Sequence, residues 1–193
     1  ESELMTFRNL GARLQGHPNM RSVPGVDMST GSLGQGLSVA VGMSLANKLD
    51  KNDFRTYVLC GDGESQEGQI WEAAMYAPAK NVDNIVAIVD YNKKQIDGPT
   101  DDVLSLGDLR AKYESFGWKV WECNGNDMQE LVDTFNKIRE NAHKGQSQIL
   151  LAHTEMGMGV DFMMGTHKWH GVAPNDEQAA NALSQLKETL GDY

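Results

Sequence analysis

The chain has 193 residues, 40% of them hydrophobic, enough to fold as one domain, 1–193, around a sizeable core. Its formal charge of −10 argues against nucleic acid and anionic membranes as partners, since both require a basic surface. Neither a membrane-length apolar stretch nor a signal peptide is present, and Cys60 and Cys123 offer no disulfide framework or metal spacing; the expected compartment is a reducing cytoplasm. The chain opens at Glu1 rather than on Met, as a fragment would, inside a segment whose Leu4, Phe7, Leu10 and Leu14 predict an amphipathic helix. Gly16-His17-Pro18 to Pro24-Gly25 reads as a loop. Thr30-Gly31-Ser32-Leu33-Gly34-Gln35-Gly36 then leads into a helix from Leu37 to Leu49, whose Ala40, Gly42, Ser44 and Ala46 predict close packing on all sides.

Tyr57 to Cys60 is the first predicted strand, followed by a helix from Gln66 to Ala79 and a second strand over Ile85 to Val89. A polar loop, Gln95 to Ser105, precedes a short helix near Asp108 to Phe116. Lys119 to Cys123 and Ile149 to His153 read as strands flanking an amphipathic helix from Asp127 to His143. A long Gly- and Met-rich loop, Glu155 to Pro174, and a last helix from Asn175 to Leu190 complete the chain. The order βαβαβαβ predicts an α/β fold, a doubly wound parallel sheet wrapped by helices.

The stretch from Gly61-Asp62-Gly63 to Asn92 is long enough for the helix and return strand of one βαβ unit, so Asp62 and Asn92 emerge together at the carboxyl edge of the sheet. Neighbouring strands lie about 4.8 Å apart. A carboxylate and an amide oxygen at that separation, with a backbone carbonyl just beyond, suit Mg²⁺, which takes its other ligands from phosphate and water. The glycines allow a diphosphate to approach, and a helix opening near Gln66 directs its dipole at it. Gly-Asp-Gly alone reads equally as a tight turn with Asp62 as a helix N-cap. The long loop after Ile149 to His153 lies on the same edge, and loops of that length are more often functional than idle. His143 reads as a partner of a helix C-terminus and His153 as a strand cap, whereas His17 and His170 sit in Gly- or Pro-flanked loops.

In order along the chain, Gly16-His17-Pro18, Pro24-Gly25-Val26, Thr30 to Gly36, Gly61-Asp62-Gly63 with Glu67-Gly68, Asp90-Tyr91-Asn92 with Ile96-Asp97-Gly98, and Trp169-His170-Gly171 resemble the transketolase family. The resemblance is to the domain that binds the diphosphate of thiamine diphosphate, in particular the separate N-terminal subunits of split bacterial transketolases. It implies that Asp62, the Asn92 side chain and the Lys94 carbonyl hold Mg²⁺, and that Gly63 donates its amide to the diphosphate. Gly31, Ser32 and Leu33 would line the cofactor, with Leu33 beneath its bent form, which sets the aminopyrimidine against the thiazolium carbon and is itself catalytic. His170 would touch the diphosphate and line the substrate channel, and His17 would bond the hydroxyl of the transferred two-carbon unit. Glu67 resembles a glutamate that joins the two active sites of a dimer; on position alone it is an acidic residue in a helix's first turn. Where several relatives carry Lys, Met156 and Met158 stand here, and Met156 offers an apolar wall near the thiazolium.

The resemblance implies transfer of a two-carbon ketol unit between sugar phosphates. The family's N-terminal stretch before Gly16 is mostly absent, and so is the pyrimidine-binding domain, so a separate C-terminal subunit is expected as partner. Self-association through the Leu37 to Leu49 helix is expected as well, because its apolar, small-residue faces call for a protein surface. Alternatives are another thiamine diphosphate enzyme, such as a deoxyxylulose phosphate synthase or a 2-oxoacid-processing component, and a silent assembly module that only binds Mg²⁺-diphosphate. The flanks of His17 and His170 speak for transketolase.

Overall fold

Strands and helices alternate as the apolar runs predict. The computed structural model describes residues 2–187 as α1 (Gln35–Leu49), β1 (Thr56–Gly61), α2 (Gly68–Ala79), β2 (Ile85–Tyr91), β3 (Lys94–Gln95), β4 (Gly98–Pro99), α3 (Thr100–Leu104), α4 (Leu109–Phe116), β5 (Lys119–Asn124), α5 (Met128–Glu140), β6 (Gln148–His153) and α6 (Asp176–Gln185). Four strands form one parallel sheet in the order β1-β2-β6-β5, and β3 pairs with β4 as a small antiparallel hairpin. Alternate residues of the central strands serve opposite faces. Ile85, Ala87, Val89, Ile149 and Leu151 pack beneath α1, α2 and α4, while Val86, Leu150 and Ala152 pack with Ile138 of α5 on the other side. Helices on both faces make the sheet doubly wound, as expected. Asp108, Asp127 and Asn175 cap α4, α5 and α6 through their side-chain oxygens.

Several expectations need correction. The opening segment is a single 3-10 turn, Ser2–Thr6, and not an amphipathic helix. Leu4, Phe7 and Leu10 are exposed, so the apolar period has no layer to pack against, and Arg8 and Gly11 turn the chain with positive φ. α1 buries one face only, through Leu37, Ala40, Val41 and Ser44, and leaves Val39, Met43 and Leu49 exposed. The polar stretch 95–105 contains the β3–β4 hairpin and α3 rather than loop alone. α6 ends at Gln185, where Leu186 turns extended, and the expected span from 188 to Leu190 lies outside the described residues.

Asp83 fastens α1 to the sheet. Its carboxylate accepts from Lys48 Nζ at 2.7 Å and from the Gly145 N–H at 3.1 Å. Burial alone would raise its pKa, but these two partners outweigh burial and lower it. The Lys48 side chain is 39% exposed, so screening trims the pair. Asp83→Ala is expected to cost about 1 kcal/mol in urea unfolding, the net worth of the hydrogen bonds its carboxylate accepts. Because the folded pKa is depressed, that contribution is present above the unfolded pKa and disappears as pH falls through the folded one. An unchanged urea midpoint at neutral pH would show that Asp83 is not a tether.

Candidate functional site

The register of β1 and β2 places Gly61 opposite Asp90, and the Asp62 N–H donates to the Asp90 carbonyl at 3.2 Å. Asp62 therefore leaves the sheet beside the end of β2, as its spacing from Asn92 predicts. Its side chain is 1% exposed. One carboxylate oxygen accepts the Gly63 N–H at 2.7 Å and the other accepts the Lys93 N–H, which the positive φ of Lys93 turns inward. Asn92 is oriented from both ends: Oδ1 accepts the Lys94 N–H at 2.9 Å, and Nδ2 donates to Asp90 Oδ2 at 3.3 Å. The other Asp90 oxygen accepts from the Thr154 hydroxyl, which brings the end of β6 into the same network.

Burial raises the pKa of Asp62, and the charge of Asp90 adds to the rise, while the two N–H donors oppose it. Among the described residues, no Lys, Arg or His forms an ion pair with Asp62 or Asp90. A buried carboxylate without a protein cation is costly, and a bound cation removes that cost. Among the described residues, no three His, Cys, Asp or Glu side chains gather as a metal cage. The carboxylate and amide oxygens at this edge are hard donors of the kind Mg²⁺ accepts while it keeps several positions for phosphate and water.

Close backbone packing accounts for the glycines. A Cβ on Gly63 would lie 2.6 Å from Gln95 Cβ, so the Gly-Asp-Gly turn is pressed onto the loop after Asn92. Gly31 has φ +110°, and a Cβ there would meet His17 Nδ1 at 2.4 Å. Gly34 similarly lies against Glu67. The helix expected at Gln66 is divided: Gly63 opens a 3-10 turn, Glu64–Gln66, the exposed Glu67 is extended, and α2 begins at Gly68. A short turn, not a helix dipole, thus lies next to Asp62.

The site residues border two clefts that share Leu59. One, of ≈ 490 Å³, is lined by Gly31, Ser32, Leu33, Val39 and Met43; the other, of ≈ 540 Å³, by Asp90, Asn92, Thr154, Met156 and His170. Asp62 is buried and lines neither cleft, and Lys94 reaches the rim of the second through Glu155. His17 is in a separate recess with Arg8 and Gln15, and its ring lies close against Gly31 of the first cleft. Glu67 lines neither cleft. Residues that sequence reasoning missed hold these parts together. Glu64 accepts the N–H groups of Gly34 at 2.8 Å and Gly61 at 3.1 Å, fixing the Thr30 to Gly36 loop onto β1. A carboxylate directly after Gly-Asp-Gly, facing a glycine loop rich in free N–H groups, was the available signal.

The transketolase family, by its thiamine diphosphate binding domain, matches residues 1–191 of the chain. The chain belongs to the transketolase family. It is similar to one of the apulose-4-phosphate transketolase subunits, that of Phocaeicola vulgatus, with 45% identity over 96% of the chain and 65% of that relative. The 6-deoxy-6-sulfo-D-fructose transketolase subunit SqwG of a Clostridium species is 40% identical over 96% of the chain and 66% of that protein. The chain thus spans about two thirds of these relatives. Transketolase from Campylobacter jejuni superposes with a TM-score of 0.87 at 30% identity, over 95% of this chain and 29% of that one. No helix among the described residues is long and apolar enough to cross a membrane.

Proposed function

We propose that residues 1–193 form one diphosphate-binding domain serving as the N-terminal subunit of a split transketolase, which transfers a two-carbon ketol unit between sugar phosphates in the cytoplasm with Mg²⁺ and thiamine diphosphate. The observation that carries the reading is the Asp62 carboxylate, buried without a protein cation and bonded to the Lys93 N–H, next to the oriented Asn92 amide that lines the cleft also holding His170. Two relatives are named as transketolase subunits, which supports a separate partner, here a pyrimidine-binding subunit.

Asp62, Asn92 and the Lys94 carbonyl would hold Mg²⁺. The Gly63 N–H, now given to Asp62, would pass to the diphosphate once the cation draws the carboxylate. When bound, thiamine diphosphate supplies the carbon that takes up the two-carbon unit. Gly31, Ser32 and Leu33 would line the cofactor from the first cleft, and Met156 would exclude water from the second. His170 would donate to the diphosphate or to substrate oxygen, and His17 would bond the hydroxyl of the transferred unit. Glu67 lies against Gly34, where it would join a carboxylate link between two sites, and the exposed Val39 and Met43 of α1, which line the first cleft, would offer a surface for self-association.

Mixing the chain with a candidate pyrimidine-binding subunit, Mg²⁺, thiamine diphosphate, a ketose phosphate and an aldose phosphate tests the reading. Ketol transfer is expected, with light scattering reporting an assembly larger than one chain of each kind. His170→Ala should lower turnover by roughly 10²-fold, as removal of a polar or acid–base group does, with an unchanged thermal midpoint. Cofactor binding without transfer in a stable mixed complex would favour the silent assembly module.

A further inference from the structure

The long loop between β6 and α6 carries Met156 and His170, and it is held to the metal-site loop by one side chain. Glu155 Oε1 accepts from Lys94 Nζ at 3.0 Å and from the Gly165 N–H at 2.8 Å. The Glu155 N–H donates to Asn126 Oδ1 at 2.7 Å, in the turn between β5 and α5. A single residue therefore meets three separate segments: the loop after Asn92, the turn after β5, and the far arm of its own loop. The Lys94 side chain is 15% exposed and that of Glu155 32%, so the pair is partly sheltered from solvent.

The middle of the loop is tied to α6, where the Asp161 N–H donates to Gln185 Oε1 at 2.8 Å and Gln185 Nε2 donates to Asp161 Oδ1 at 2.7 Å, and the remaining bonds are internal. Trp169 Nε1 donates to the Phe162 carbonyl at 2.9 Å with the two rings 5.3 Å apart, and the His170 N–H donates to the His167 carbonyl at 2.9 Å. These bonds lie within the loop and fold it on itself, but they do not fix it to the sheet. Gly165, three residues after Phe162, is where the Glu155 carboxylate ties the returning arm to the base of the loop. Lys94 is in turn the residue whose carbonyl the cofactor reading gives to Mg²⁺.

We propose that Glu155 is a positioning residue: its carboxylate clamps the loop bearing Met156 and His170 to Lys94, so that ordering of this loop and binding of Mg²⁺-thiamine diphosphate are energetically coupled. The proposal rests on the cofactor reading above only for its second half. Loop order is a property of the chain without any ligand. Coupling follows because the cation fixes the Lys94 main chain while the clamp fixes its side chain, and each ordering lowers the entropy left for the other to remove.

Two readouts on the full chain separate the halves. Amide exchange over residues 156–171 reports the loop without cofactor. Calorimetric titration of the assembled enzyme with thiamine diphosphate in excess Mg²⁺ reports the coupling. Glu155→Ala is expected to speed exchange about tenfold at Gly165 and its neighbours, and to weaken cofactor binding about fivefold, the low end of common coupling factors. Lys94→Met, which keeps the main-chain carbonyl, should move both readouts the same way, and Lys94→Arg should restore both. Unchanged exchange in Glu155→Ala would overturn the clamp. Faster exchange with unchanged affinity would overturn the coupling. If the unsubstituted assembly binds no cofactor, the cofactor reading fails and the coupling with it, while the exchange data still decide whether Glu155 orders the loop.

Discussion

Asp62→Ala is expected to abolish Mg²⁺-dependent binding of thiamine diphosphate, a loss of about 10²-fold or more. Among the three proposed ligands only Asp62 is anionic; the Asn92 amide and the Lys94 carbonyl are neutral, and neither balances the charge of a divalent ion. The substitution also strands the Gly63 and Lys93 N–H groups, but it removes a carboxylate whose burial is otherwise uncompensated, so binding should suffer more than folding. The pH dependence has a defined sign. Asp62 titrates above its ordinary value of 3.8 in the folded chain, so without the cation the fold loses stability as pH rises from the unfolded pKa through the raised one. Mg²⁺ competes with the proton, so binding weakens as pH falls through that same raised pKa. Calorimetry at neutral and acidic pH measures both effects. The isolated chain should bind weakly in any case, because the aminopyrimidine half of the cofactor lacks its partner surface. Unchanged affinity in Asp62→Ala would remove the metal assignment.

The parts of this site that were legible in the sequence are those set by strand register. Once Tyr57 to Cys60 and Ile85 to Val89 were read as neighbouring parallel strands, Asp62 and Asn92 had to meet at one edge, and they do. The starts of three helices were legible at Asp108, Asp127 and Asn175, which the structure shows to be their N-caps. Apolar runs cannot say which strands are neighbours, however, and the insertion of β6 between β2 and β5 has no local signal. The β3–β4 hairpin and α3 escaped because they are short and polar, held by tertiary bonds such as Gln66 Nε2 to the Thr100 and Leu104 carbonyls. The opening segment failed for the opposite reason: its apolar period is real, yet no neighbouring layer covers Leu4, Phe7 and Leu10. Glu155 reaches Lys94, distant in the chain, and only the fold reveals that contact.

Gly31→Ala is expected to remove most transketolase activity of the assembled enzyme while leaving the sheet intact, and it should do so largely through His17. Two costs combine. An alanine resists φ +110°, which lies outside the conformations open to L-residues, and straining the backbone there costs about 1–3 kcal/mol. The new methyl would also overlap His17 at Nδ1, Cγ and Cβ, at 2.4, 2.5 and 3.0 Å, so a change of ring rotamer does not clear it and the main chain of the Gly16 to Pro18 loop must move. His17→Ala alone is expected to lower turnover by roughly 10²-fold if its imidazole bonds the transferred unit. The double substitution tells the routes apart. With the ring gone, the worst overlaps vanish, and Gly31→Ala should add only the backbone strain to the His17→Ala loss, well short of the product of the two single effects. Turnover of the four enzymes, with cofactor affinity measured beside it, gives the cycle. If the losses multiply, Gly31 serves the cofactor independently of His17. If Gly31→Ala retains full activity, the close approach of the two segments has no part in the site.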